Sequence, residues 1–223
     1  SASYLLMSSL DISRRNLALH GEAIYSEVIR LAQYAREEIK ALDGFYAFGE
    51  ELCDGDAFKY FDKTKLSIHT RSMGLSGIEV YDILRDDYGI QIEFGDLGNI
   101  LAILSVGDTE ANIERLIAAL ADIYRTRRGS PKGLLSNEYI APTVVMSPKE
   151  AFFAPTISVP IEDSEGYVCI EFVICYPPGI PILAPGELVT HDQLDYIRYA
   201  KEKGSSMSGT EDITLQNLNV LAP

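Results

Sequence analysis

Residues 175–187 read CYPPGIPILAPGE, and they follow directly on the apolar run YVCIEFVI of residues 167–174. Pro177, Pro178, Pro181 and Pro185 each fix one φ angle and remove one backbone donor. Such a stretch is expected neither to wind as helix nor to pair as sheet, yet it stays apolar. Because the prolines stiffen the unfolded chain as well as the folded one, ordering the segment over another surface costs little entropy. It reads either as a crossover packed on its own domain or as a loop lining a site.

The rest of the 223 residues must supply the core, and with 47% apolar residues they suffice for one large domain or two small ones. No window approaches about 18 consecutive apolar residues, and the first 20 residues lack the basic-then-apolar order of a signal peptide, so a soluble, cytoplasmic protein is expected. The net charge of −14 is spread along the chain. This argues against a nucleic-acid partner and suits a cationic small molecule. Cys53, Cys169 and Cys175 are odd in number and irregular in spacing, which favours buried free thiols over a disulfide or metal role. The chain opens at Ser1 without Met and enters a helical pattern at once, SYLLMSSLDISRRNLAL, so it is expected to be an internal part of a longer protein.

Along the chain, Ile24, Val28, Leu31, Ala35, Ile39 and Leu42 form one apolar face of a helix over residues 22–42, ended by Asp43-Gly44. FYAF and TKLSIHT read as short strands, and GIEVYDILRDDYG as a helix. Two strands are expected over residues 90–94 and 99–105, with GDLG supplying the turn. Asp108 or Thr109 then caps a helix running to Gly129. This order predicts an α+β chain whose small antiparallel sheet carries helices on one face. Basic and breaker residues cluster in RTRRGSPKG, which places a domain boundary there, giving units 1–128 and 129–223. Beyond it come a short helix at Ser147-Pro148, strands TISVPI and GYVCIEFVICY, and a helix from Thr190 to Lys203.

The familiar catalytic signatures are missing: no GxSxG, no phosphate-binding GxxxxGK[ST], and no histidine with a second ligand at metal spacing. His69 reads as an ordinary strand histidine. Glu93 is more informative, since in IQIEFGD the alternation puts Ile90 and Ile92 on one face and Gln91 and Glu93 on the other. It is either a solvated carboxylate on the open face of the sheet or a recognition group for an ammonium or guanidinium.

Three separated stretches, SASYLLMSSLDISRRNLAL, GIEVYDILRDDYGIQIEFGDLGNILAILSVGD and CYPPGIPILAPGE, together resemble the C-terminal portion of the bacterial ornithine/lysine/arginine decarboxylases, the biosynthetic arginine/lysine type above all. The resemblance implies a small domain of the aspartate-aminotransferase fold (pyridoxal-phosphate fold type I) followed by the family's C-terminal domain. It implies a carbon–carbon lyase that uses pyridoxal 5'-phosphate on a basic amino acid and feeds polyamine synthesis. The family's Ser-x-His-Lys segment, whose lysine forms the Schiff base, has no counterpart here, so no catalytic residue is assigned to this chain, which is expected to be inactive alone. Ser1 and Ser3 match a segment near the cofactor phosphate of the other subunit of a homodimer or higher oligomer, with Ala2 where that segment often carries proline. Glu93 matches the carboxylate that recognises the substrate's distal cation, and Tyr176, Pro177, Pro178 and Gly179 match a motif at the active-site entrance. The resemblance further implies an upstream pyridoxal-phosphate domain as partner, while the charge, the apolar windows and the ligand spacing lead us to expect no nucleic acid, membrane or metal. Two rivals remain: a non-catalytic binding or assembly fragment of this fold, and an aminotransferase half in which Arg71 would hold a carboxylate.

Overall fold

The computed structural model describes residues 2–130 and 140–223. Helix α1 (Tyr4–Ala41) merges the two helical stretches expected from the sequence into one rod of 38 residues. Strands β1 (Tyr46–Ala47) and β2 (Lys65–His69) follow, then helix α2 (Gly77–Asp86), strands β3 (Phe94–Gly95) and β4 (Asn99–Ile103), and helix α3 (Glu110–Arg127). The four strands make an antiparallel sheet in the order β1-β2-β4-β3. Leu66 and Ile68 of β2 alternate with Ile100 and Ala102 of β4 into one buried face, where they meet Leu31 and Ile39 of α1, Val80 and Leu84 of α2, and Leu116 and Leu120 of α3. The expected single helical layer on one face is therefore the observed arrangement.

Among residues 140–223 come α4 (Pro148–Phe153), β5 (Thr156–Pro160), β6 (Val173–Tyr176), β7 (Ile180–Leu183), α5 (His191–Glu202), β8 (Ser206–Ser208) and β9 (Asn217–Leu221). They form an antiparallel β5-β9 pair and a three-stranded sheet β7-β6-β8 around Val173, Leu183, Val189, Ile197 and Leu218. Both α4 and α5 begin with a capping box, Ser147 with Glu150 and Thr190 with Gln193.

Three expectations need correction. The proline stretch does pair as sheet: Pro177, Pro178 and Gly179 turn the chain, Gly179 donates to the Cys175 carbonyl at 2.9 Å, and β7 then runs back along β6. It tolerates Pro181 because β7 is an edge strand, with donors needed on one side only. GYVCIEFVICY is not one strand. Its first part makes isolated bridges, and Glu171 takes the backbone N–H groups of Glu211 and Asn219, so the ladder begins only at Val173. Finally, the strand over residues 90–94 shrinks to Phe94–Gly95, because Ile90 donates to the Leu84 carbonyl at 2.8 Å and the segment is drawn towards α2. The proposed boundary cluster extends into residues 131–133, outside the described residues.

Candidate functional site

Glu93 is exposed and stands one residue before β3, at the free edge of the sheet. Its backbone N–H extends the ladder by donating to the Leu101 carbonyl at 2.9 Å, which fixes the backbone from which the side chain projects. Beside it opens a cleft of about 450 Å³ between residues 89–93, the end of β4 and the start of α3. Its charged lining groups are Glu93, Asp108 and Arg115. Asp108 is engaged by the N–H and hydroxyl of Ser105, at 2.7 and 3.0 Å. Arg115 donates to the carbonyls of Tyr88 and Gly89, the latter at 3.1 Å, and so braces the wall opposite. The Glu93 carboxylate has no hydrogen bond or ion pair among the described residues and stands open to solvent beside the cleft.

The other sequence-derived positions lie elsewhere. Tyr176 is exposed and gives its carbonyl to the Ser206 hydroxyl at 3.3 Å, while Gly179 closes the β6–β7 turn at φ +98°, a conformation that favours glycine. Ser3 precedes α1 and makes no side-chain cap, and Ser1 lies outside the described residues. His69 meets Asn99 at 3.3 Å in the sheet, and Arg71 sits in the single turn Arg71–Met73. Among the described residues no cluster suited to a metal occurs, and no helix is long and apolar enough to cross a membrane. The thiols are free, Cys169 and Cys175 buried as expected and Cys53 only half-buried. Burial pushes the Cys169 thiol up to about 12 and raises that of Cys175 as well.

The structure links the Glu93 hairpin to the Tyr176 turn through neighbours that sequence reasoning missed. Leu97, in the turn between β3 and β4, shares a buried cluster with Ile78 of α2, Cys175 of β6, and Tyr199 and Ala200 of α5. At its rim Lys203 pairs with Glu79 of α2 at 3.2 Å. Burial pushes the Glu79 carboxyl up, but the Ser76 N–H, the Ser76 hydroxyl and Lys203 outweigh it and hold the group below its ordinary value. Ser76-x-x-Glu79 was legible as a capping box, whereas nothing in local spacing pointed to Lys203, 124 residues away.

Residues 134–215 match the family described as Orn/Lys/Arg decarboxylase, C-terminal domain. Over 99% of its length the chain is 42% identical to an arginine decarboxylase of Halalkalibacterium halodurans and 36% identical to one of Bacillus subtilis, covering 46% of each. It thus spans about half the length of these curated relatives. The fold is similar to that of the constitutive lysine decarboxylase of E. coli, with a TM-score of 0.68 at 18% identity, over 99% of this chain and 44% of that one.

Proposed function

We propose, from the match of residues 134–215 to the Orn/Lys/Arg decarboxylase C-terminal domain, that this chain is the substrate-selecting and C-terminal part of a pyridoxal-phosphate-dependent decarboxylase. Its substrate is a basic amino acid, arginine ahead of lysine and ornithine, and its product a polyamine precursor. The names of the relatives that align with the whole chain favour arginine. The mixed helical and antiparallel architecture supports reading residues 1–128 as the small domain of the aminotransferase-like fold and 129–223 as the family's C-terminal domain.

The observation that carries the reading is the unengaged Glu93 carboxylate beside the cleft. A guanidinium or ammonium there would gain a charge-assisted hydrogen bond that a neutral side chain of the same size would not receive. Bound pyridoxal phosphate would act as the electron sink for loss of the carboxylate. Among the described residues no lysine lines the cleft, so these residues do not fit a covalent hold on that group, which is assigned to the upstream domain. This chain's part is to bind the far end of the substrate and orient it.

The reading of the partners rests on α1. Before Val28 its residues are exposed or half-exposed, and they include Leu6, Leu10 and Leu17, in line with the buried Leu31 and Ala35, and Leu5, Ile12 and Leu19 on the opposite side. Two apolar stripes on opposite sides of one helix support a cover on each, the upstream domain and a second subunit. The test of the function is Glu93→Gln in the full-length enzyme, assayed on arginine, lysine and ornithine. Kinetics unchanged on all three would leave the assembly role as the better reading.

A further inference from the structure

We propose that Leu97 is a positioning residue for Glu93, gripped by the C-terminal region so that the substrate-binding carboxylate keeps its place; the proposal rests on the reading of Glu93 given above. Leu97 is 8% exposed, yet it is buried away from the core of its own sheet. Its neighbours there are Ile78 and three residues of the C-terminal region, Cys175, Tyr199 and Ala200. The turn it stands on is stiff. Asp96 donates to the Asn99 carbonyl at 2.8 Å, and its carboxylate takes the N–H groups of Gly98 and Asn99, each at 2.7 Å.

From this turn to Glu93 the ladder is unbroken, through Gly95 opposite Ile100 and Phe94 opposite Leu101 to the Glu93 N–H on the Leu101 carbonyl. Four residues of strand span at most about 14 Å, so a shift at the turn is carried along the ribbon to Glu93. Since β3 is the outer strand, no further strand among the described residues steadies it from the other side. Support comes instead from α2, where Ile78 donates to the Asp96 carbonyl at 3.0 Å and the next residue, Glu79, pairs with Lys203. Two restraints on the hairpin, the Leu97 cluster and the α2 tie, therefore lead to the C-terminal region, while a third, the Thr70 N–H and hydroxyl on the Gly98 carbonyl at 3.0 and 3.3 Å, comes from beside β2. Tyr176 adjoins Cys175 of the same cluster, so the entrance turn and the binding carboxylate share one anchor.

The test is a kinetic double-mutant cycle in the full-length enzyme with arginine, lysine and ornithine as the substrates tried. Leu97→Ala is expected to raise KM roughly 3- to 10-fold with kcat little changed, as loss of uniform binding requires. Leu97→Met, which refills the cluster, should restore most of it. In a Glu93→Gln background, Leu97→Ala should cost nothing further, because the group it positions is gone. Lys203→Met offers a gentler second perturbation should Leu97→Ala not fold, with the same coupling expected and rescue by Lys203→Arg. An equal loss in both backgrounds overturns the positioning role while leaving Glu93 in the site, and an unchanged KM in both variants does the same. A silent Glu93→Gln overturns the reading of Glu93 and the proposal with it.

Discussion

Lys203, at the end of α5, lies 3.2 and 3.3 Å from the two carboxylate oxygens of Glu79, the third residue of α2. Glu79 serves two purposes at once, since the same carboxylate also receives the N–H and hydroxyl of Ser76. A helix cap and a contact between the two parts of the chain thus share one charge. Glu79→Gln is expected to weaken both, and the pH dependence has a definite sign. A carboxyl held below its ordinary value of 4.5 adds stability above that pH and loses it as the pH falls through the lowered value. Urea midpoints of the wild type and Glu79→Gln should therefore differ at pH 7 and converge below pH 4.5. A constant gap down to pH 3 would show that the charge is not what stabilises.

Glu93→Gln keeps the shape of the cleft edge and removes its charge. A hydrogen bond to a charged group is worth about 1.5–3 kcal/mol, so kcat/KM in the full-length enzyme should fall roughly 10- to 150-fold. Stability should move by less than about 0.5 kcal/mol, as for an exposed carboxylate outside caps and cores. Kinetics within about threefold of the wild type, roughly 0.65 kcal/mol and well below the lower limit of that hydrogen-bond energy, would remove Glu93 from the site.

Gly77 tells whether α2 must touch the hairpin. A Cβ there would stand 1.8 Å from the Asn99 carbonyl oxygen and 2.7 Å from that of Asp96, both backbone atoms that cannot swing aside. Gly77→Ala should force α2 off the β3–β4 turn and cost about 1–3 kcal/mol or more, the range of overpacked cores. Gly21→Ala in α1, whose nearest neighbour would be 3.9 Å away, should be harmless or stabilising. Equal thermal midpoints for the two variants would contradict the close approach.

Thiol accessibility checks the packing of the C-terminal sheet. Burial holds the Cys169 and Cys175 thiols in the protonated, unreactive form at neutral pH, while Cys53 is half-buried. Titration with a chromogenic disulfide should count one fast thiol in the native protein and three in urea. Fast reaction of Cys175 would mean that the cluster around Leu97 opens readily.

What the sequence disclosed depended on how far apart the cooperating residues lie. Leu31, Ala35 and Ile39 repeat at helical spacing, and Ser147, Pro148 and Glu150 form a local cap, so these elements were legible at once. Ile92 and Glu93 followed their alternation as well, the one buried and the other exposed. The edge strand Ile180–Leu183 was not foreseen, because proline is judged by the donor it lacks, while an edge position is set by the neighbours that a distant strand provides. β8 and β9 were missed too, three and five residues long with weak pattern. The Leu97 cluster joins a turn with residues from three elements, α2, β6 and α5, and no local rule reports it.

The 38-residue α1 also has a mechanical side. Burial in the sheet's core begins at Val28, so roughly 24 residues stand ahead of it, and at about 1.5 Å per residue they make an arm of about 36 Å. A tilt of about 5° at the Val28 fulcrum would swing the tip at Tyr4 by about 3 Å, about the full length of a hydrogen bond. Whatever seizes that arm gains leverage over the small sheet, and any slight repacking around Leu31 and Ile39 is magnified where the arm ends.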